Sequence, residues 1–125
     1  MLADTTGLSK VVIGAAIEVH RVLGPGLLES VYSRCLAREL GSRGLPFRRE
    51  VIVPVIYKGE RIDHGFRADM IVSDRLLVEI KCASGLLAIH RAQTITYLRL
   101  LGLKHGLVMN FHSRRLVDGI WSVVA

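Results

Sequence analysis

The sequence has little cysteine, few aromatic residues and no long apolar run. Its two cysteines, Cys35 and Cys82, stand alone without a Cys-x-x-Cys pair, which indicates neither a zinc site nor a disulfide framework. No apolar stretch approaches the roughly 20 residues that a membrane-spanning helix needs. Asp4 also interrupts the start of the chain, where a signal peptide needs basic and apolar regions. We therefore expect a reduced, cytoplasmic protein.

The low aromatic content excludes a core built from large rings. Half of the 125 residues are hydrophobic but only 6% are aromatic, which predicts an aliphatic core. A chain of this length has room for one hydrophobic core but not for a separate specificity domain. We expect residues 1–125 to form a single domain whose function lies on its core fold.

The charge balance is basic, with 17 Lys and Arg against 11 Asp and Glu and a formal net charge of +6. Such an excess favours polyanionic partners, either nucleic acid or an anionic membrane surface. A solvated basic surface would have the same composition. Charge alone therefore leaves these interpretations open.

Helical and strand-like segments alternate along the chain. Apolar residues three and four positions apart predict three helices, over about 8–23, 27–40 and 88–101. Runs rich in β-branched residues predict five strands, over about 51–56, 61–72, 76–81, 107–111 and 116–124. Lys58-Gly59 is the predicted turn between the first two strands. The order is helix, helix, three-stranded meander, helix, strand.

A charged triplet interrupts the third of these strands. Glu79 and Lys81 flank Ile80 directly after the apolar run 76–78, and Asp69 lies ten residues before Glu79. Carboxylates and ammonium groups are almost never fully buried unless they are paired or bind a metal, because leaving water costs each several kcal/mol. A salt bridge on a solvated sheet edge would explain the pair, but the apolar neighbours favour a functional site.

These charged residues, with two further motifs, resemble the PD-(D/E)XK nuclease superfamily and, within it, the GxxExxY family of small bacterial and archaeal proteins. The residues that carry the resemblance are Gly26 to Tyr32 (GLLESVY), Asp69, Glu79-Ile80-Lys81, and Gln93 with Tyr97. Ala68 stands where the name of the superfamily has Pro, which leaves the carboxylate in place. The resemblance spans about residues 8–119. It implies an α/β, restriction-endonuclease-like fold with a mixed sheet of four or five strands flanked by helices.

The resemblance also implies a metal-dependent reaction. Glu29, Asp69, Glu79 and the backbone carbonyl of Ile80 would bind Mg²⁺ or Mn²⁺, and Lys81 would position or activate the attacking water. Hard divalent ions prefer such oxygen ligands, and they neutralise charge that develops during phosphodiester hydrolysis. The expected activity is that of a Mg²⁺-dependent deoxyribonuclease. The preference for DNA over RNA rests on the superfamily resemblance and not on any residue of this chain.

Two of these acids can share a metal only in one strand register. If the turn between their strands were a strict two-residue hairpin at 73–74, Asp69 and Glu79 would point to opposite faces of the sheet. A three-residue loop at 73–75 instead sets Asp69 directly against Glu79, with Cβ atoms about 5 Å apart. The nuclease interpretation requires that register or a bulge.

The remaining candidates each have a structural alternative. Gln93 and Tyr97 are four residues apart on one helix face and are catalytic candidates, although Tyr97 could equally be a core aromatic with a paired hydroxyl. Glu29 could be a first-turn acid that complements the helix dipole. The candidates for substrate binding are Arg67, Tyr32 and His20. Arg67 is the best candidate for a phosphate contact. His20 could instead bond a helix-terminal carbonyl.

Two further functional interpretations stay open beside the nuclease. The chain could be a non-catalytic nucleic-acid- or protein-binding module that retains the nuclease fold. It could also be a subunit whose activity requires a partner, either another protein or a second copy of the chain in a homodimer. High sequence specificity is not expected, because a chain of 125 residues has little surface beyond the cleft.

Overall fold

The computed structural model describes residues 5–62 and 65–125. Its three helices are α1 Thr6–Leu23, α2 Glu29–Ser42 and α3 Ala88–Leu101. Its strands are β1 Phe47–Ile52, β2 Val55–Tyr57, β3 Glu60–Ile62, β4 Arg67–Val72, β5 Leu76–Lys81, β6 His105–Asn110 and β7 Ile120–Val124. A 3₁₀ helix, Leu116–Gly119, precedes β7. None of the described helices is long and apolar enough to cross a membrane.

Five strands form one mixed sheet in the order β1-β4-β5-β6-β7. The pairing of β5 with β6 is parallel, with α3 in the connection, and the other three pairings are antiparallel. Strands β2 and β3 form a separate hairpin. The protein therefore has the expected α/β, restriction-endonuclease-like fold, a five-stranded mixed sheet flanked by three helices.

The central strand β5 is buried on both faces. Leu76, Val78 and Ile80 contribute to a cluster that includes the buried faces of α1 and α2. Leu77 contributes to a second cluster, which includes Leu98 of α3. Full burial of each such side chain stabilises the fold by about 1.5–3 kcal/mol. A polar residue in this strand is therefore held away from water by the packing of its neighbours.

The turn between β4 and β5 has the three-residue register. Val72 pairs with Leu76, and the Arg75 N–H donates to the Val72 carbonyl at 3.1 Å. Ser73 and Asp74 adopt positive φ angles of 53° and 54°, a conformation that short polar residues tolerate in turns. The register that the nuclease interpretation requires is confirmed.

Three predicted strands differ clearly from the structure. The predicted strand over 116–124 is strand only over Ile120–Val124, because its first four residues form the 3₁₀ helix. The predicted strand over 51–56 is wrong: β1 begins earlier, at Phe47, and ends at Ile52, and the chain then passes Pro54 into the β2–β3 hairpin. Proline has no N–H for a ladder, which explains the break. The predicted strand over 61–72 is divided between β3 and β4, and residues 63 and 64 lie outside the described residues. The turn at Lys58-Gly59 is confirmed.

Candidate active site

Asp69 and Glu79 lie side by side where β4 and β5 separate. The last pair of this ladder joins Met70 to Val78. Beyond it the side chains take over the hydrogen bonding: the Asp69 N–H donates to Glu79 Oε2 at 3.1 Å, and the Ile80 N–H donates to Asp69 Oδ2 at 2.7 Å. Two carboxylates are thereby fixed in contact at the open end of a strand pair.

Glu79 is buried, with 3% of its surface exposed. Burial, followed by the charge of Asp69, raises the pKa of Glu79 to about 9, and Lys81 opposes this rise only weakly. The alternative of a solvated surface salt bridge with Lys81 is therefore wrong. A cation beside the two carboxylates would stabilise the ionised form of Glu79 and lower its pKa.

Glu29 is the first residue of α2 and connects that helix to the end of β5. Its Oε2 accepts a hydrogen bond from the Cys82 N–H at 3.2 Å. The position in the first helical turn also places Glu29 at the positive end of the helix dipole, so the two interpretations of this acid are compatible. Burial, with the charge of Glu29, raises the pKa of the Cys82 thiol to about 11, which argues against a nucleophilic thiolate at this point.

The Lys81 ammonium is oriented by α3. Lys81 Nζ donates to Gln93 Oε1 at 3.2 Å. One turn later, Tyr97 packs in the second core cluster and lies tilted to Phe66, with ring centroids 6.4 Å apart. Burial, then the charges of Glu79 and Asp69, raises the pKa of Tyr97, which places its hydroxyl within the field of the acids. Tyr97 therefore contributes both to the core and to the surroundings of the carboxylates.

Tyr32 was a candidate for substrate contact, and the structure corrects that expectation. Its side chain is fully buried and stacks on Phe111 with ring centroids 4.5 Å apart. Its hydroxyl donates to the Gly24 carbonyl and accepts from the Leu27 N–H at 3.1 Å. Tyr32 therefore holds the loop that leads into α2 and to Glu29, and no part of it faces a substrate.

His20 is likewise buried instead of lying at the rim of a cleft. Its Nε2 donates to the Ser113 carbonyl at 2.8 Å, and its ring lies tilted to Phe111 with centroids 6.2 Å apart. This bond joins the end of α1 to the segment after β6. His20 is thus a structural residue, although the carbonyl it bonds is 93 residues away and does not belong to its own helix.

A cavity of about 220 Å³ adjoins the acids. Four polar or charged lining residues were not among the candidate site residues of the sequence analysis. They are Ser30, Ser33, Arg49 and Glu50. The lining residues are Glu29, Ser30, Ser33, Arg49, Glu50, Asp69 and Ile80. Glu50 has a φ of 51° and lies opposite Asp69, since the neighbouring pairs are Arg49 with Met70 and Val51 with Ala68. Because Glu50 belongs to no motif, only the pairing register of β1 with β4 shows that it lies opposite Asp69.

The oxygen atoms at the cavity fit a hard divalent cation. The Lys81 carbonyl accepts from the Phe111 N–H on the β6 side, so strand alternation turns the N–H and carbonyl of Ile80 toward β4. Asp69 and Ile80 line the cavity, and Glu79 lies against Asp69 beside it. Carboxylate and carbonyl oxygens are the donors that hard divalent cations prefer. Among residues 5–62 and 65–125, no three His, Cys, Asp or Glu side chains form a metal cluster by themselves. Glu29 lines the same cavity as Asp69.

A comparison with protein families matches residues 6–122 to the PD-(D/E)XK nuclease superfamily. The chain belongs to this superfamily. The match covers every helix and six of the seven strands in full, and β7 as far as Ser122. No curated protein and no solved structure matches the chain. Membership of the PD-(D/E)XK superfamily supports a nuclease-type function in general and a nucleic-acid substrate.

Arg67 lies at the first position of β4 in this PD-(D/E)XK domain and is exposed. It is not one of the described residues that line the cavity. The structure thus brings Glu29, Asp69 and Ile80 to one cavity, and it places Glu79 against Asp69. The other sequence candidates divide into Lys81, Gln93 and Tyr97 on the α3 side, the buried Tyr32 and His20, and the exposed Arg67.

Proposed function

We propose that this chain is a Mg²⁺- or Mn²⁺-dependent deoxyribonuclease of the GxxExxY family. The observation that carries the proposal is the contact between Asp69 and Glu79 at the separation of two strands. Each carboxylate accepts a backbone N–H from the opposite strand, which fixes its position before any ligand arrives. Burial, and then the charge of the adjacent Asp69, raises the pKa of Glu79, and shifts of this kind are typical of functional sites.

The metal ligands in this proposal are the carboxylates of Asp69 and Glu79 and the carbonyl of Ile80, with Glu29 at the cavity wall. A bound divalent ion supplies charge neutralisation for the phosphodiester and lowers the pKa of a nearby water. Asp69 and Glu79 need no large movement to bind it, because backbone hydrogen bonds already orient them.

Lys81 acts on the opposite side of these carboxylates from α2. Gln93 accepts one of its three N–H donors, which leaves two for the substrate or the attacking water. An ammonium so placed stabilises negative charge that develops on the attacking water or the phosphoryl oxygens. Gln93 is in this scheme a positioning residue, and Tyr97 adds a hydroxyl within the field of the acids.

Cleavage of labelled oligonucleotides tests the proposal. We expect cleavage of DNA with Mg²⁺ or Mn²⁺, none in excess chelator, and none with Glu79→Ala or Asp69→Ala. The exposed acid Glu60 provides a matched control, since Glu60→Ala removes one carboxylate from the separate β2–β3 hairpin. Cleavage that persists in chelator or in the Glu79 variant would contradict the proposed site. Parallel single-stranded, duplex and RNA substrates establish the substrate class.

A binding module without catalysis is the second candidate. It is favoured by the observation that three carboxylates do not gather into a metal cluster in the described parts of the chain. This candidate predicts nucleic-acid binding that weakens with salt but no cleavage in any divalent metal. Cytoplasmic location and a homodimer or protein partner remain predictions, and size-exclusion chromatography with light scattering tests the oligomeric state.

A further inference from the structure

The cavity beside the acids has a cationic wall. Arg49 of β1 and Ser33 of α2 are among its lining residues. The guanidinium Nε and Nη2 of Arg49 donate to Ser33 Oγ at 3.3 and 3.1 Å. Ser33 is itself buried, so its hydroxyl is a fixed anchor for the guanidinium.

Arg49 has no ion pair in the described part of the chain, although three carboxylates line the same cavity. Its neighbour in sequence differs: Arg48 bonds Asp74 through Nη2 at 3.1 Å. A guanidinium has five N–H donors, and the Ser33 hydroxyl takes two of those of Arg49. The other three N–H groups of this exposed side chain, which lines the cavity, have no partner among the described residues. A phosphate oxygen suits them best, because guanidinium matches phosphate geometry in a bidentate way.

The anchor of Arg49 lies one helical turn from a proposed metal ligand. Glu29 and Ser33 are four residues apart on α2, which brings their Cβ atoms to about 5–6 Å of each other. Asp69 and the Ile80 carbonyl border the same cavity of about 220 Å³. A phosphodiester that enters it can therefore meet the carboxylate side and the guanidinium side at once.

We propose that Arg49, oriented by Ser33, is the phosphate-binding residue of this site. It contacts a nonbridging oxygen of the nucleic-acid phosphodiester that lies between it and the metal-binding acids. Ser33 is a positioning residue that fixes the fork of the guanidinium. The proposal rests on the proposed function, because it assigns the substrate contact of the same site.

The arginine pair in β1 supplies the matched control. Arg49→Gln and Arg48→Gln each remove one positive charge at adjacent positions, so long-range electrostatics changes equally. Binding of a fluorescently labelled DNA duplex is followed by anisotropy between about 50 and 200 mM salt, in Ca²⁺ to separate binding from cleavage. We expect Arg49→Gln to weaken binding about tenfold and to reduce the salt slope by about one phosphate contact. Arg48→Gln should stay within about twofold of the native chain.

Three further variants keep the test informative if Arg49→Gln does not fold. Arg49→Lys retains the charge but not the fork, and it should recover only part of the affinity. Ser33→Ala should weaken binding by a smaller factor, and Ser33→Thr should restore it because the hydroxyl returns. Equal affinities of the Arg48 and Arg49 variants, or full recovery with lysine, would overturn the assignment of Arg49.

The outcomes separate this proposal from the nuclease activity itself. Selective loss of binding in the Arg49 variants, in a preparation that never cleaves DNA, would support Arg49 as the phosphate contact and contradict the proposed nuclease. Cleavage and binding by Arg49→Gln at the level of Arg48→Gln would contradict the role of Arg49 and leave the nuclease standing.

Discussion

The backbone N–H of Asp69 donates a hydrogen bond to the carboxylate of Glu79 across the open end of the β4–β5 ladder. The carboxylate of Asp69 in turn accepts from the N–H of Ile80. Each side chain is thus fixed by a backbone N–H of the opposite strand. Two acids that would repel each other in water are held together by the sheet that they terminate.

This arrangement predicts a stability that falls with rising pH in the absence of metal. The folded-state pKa of Glu79, about 9, lies above its ordinary value of 4.5. Between these values the folded chain binds a proton that the unfolded chain has lost, so unfolding becomes easier as pH rises, by up to about 1.4 kcal/mol per pH unit. Urea unfolding at pH 5, 7 and 9 measures the slope, and Glu79→Gln should flatten it. An unchanged slope in that variant would contradict the assignment to Glu79.

A divalent metal should reverse part of this trend. Mg²⁺ or Mn²⁺ competes with the proton on Glu79, so the rise in Tm that the metal produces should grow between pH 6 and 9. Asp69→Asn and Glu79→Gln should each abolish the rise, whereas Glu60→Gln should not. Scanning calorimetry without metal and over a series of tenfold increases in metal concentration measures this change in Tm. A metal-induced rise that survives both site variants would place the ion elsewhere.

Lys81→Met separates a catalytic role from a structural one. Methionine keeps most of the apolar stem and removes the ammonium that Gln93 holds. If Lys81 serves the transition state, cleavage should fall on the order of 10²-fold or more while metal binding survives. If Lys81 only compensates the acids, stability without metal should fall instead. The measurements are the cleavage rate, metal affinity and Tm of this variant. Cleavage by Lys81→Met at the rate of the native chain would contradict a catalytic role of Lys81.

Tyr32→Phe tests the loop that carries Glu29. The change removes the hydroxyl that bonds the Gly24 carbonyl and the Leu27 N–H and leaves the stacked ring in place. Leaving these two groups unpaired should cost about 1–3 kcal/mol and weaken metal binding through Glu29. The exposed Tyr57 supplies the control, because Tyr57→Phe should change stability by less than about 0.5 kcal/mol. Denaturant unfolding and metal titration report the two effects, and equal behaviour of the variants would contradict the role of the hydroxyl.

The sequence determined most of the elements because their signals are local. Apolar spacing predicted α1 and α3 to within two residues at each end, and β5 was predicted over the residues it occupies. The same local pattern failed at Pro54, where the β-branched run continued but a missing N–H ended the ladder. It also failed before β7, where four residues of the predicted strand form a 3₁₀ helix.

The candidate site was predicted in part. The acids Asp69 and Glu79 stood out because charged residues in an apolar strand need compensation, and the register that joins them could be stated as a condition. The sequence could not choose between the two registers. The choice depended on a turn in which Ser73 and Asp74 take positive φ, and no residue type there enforces that conformation as glycine would.

Tertiary structure alone decided which side chains meet. Tyr32 belongs to the GLLESVY motif and His20 was a candidate for substrate binding, yet both are buried and contact Phe111. Glu50 and Arg49 carry no motif, yet the pairing of β1 with β4 brings them to the cavity. Periodicity and capping are properties of neighbouring residues, so a sequence displays them directly. Convergence of Glu29 with Cys82, 53 residues apart, depends on how whole elements pack, which no local pattern encodes.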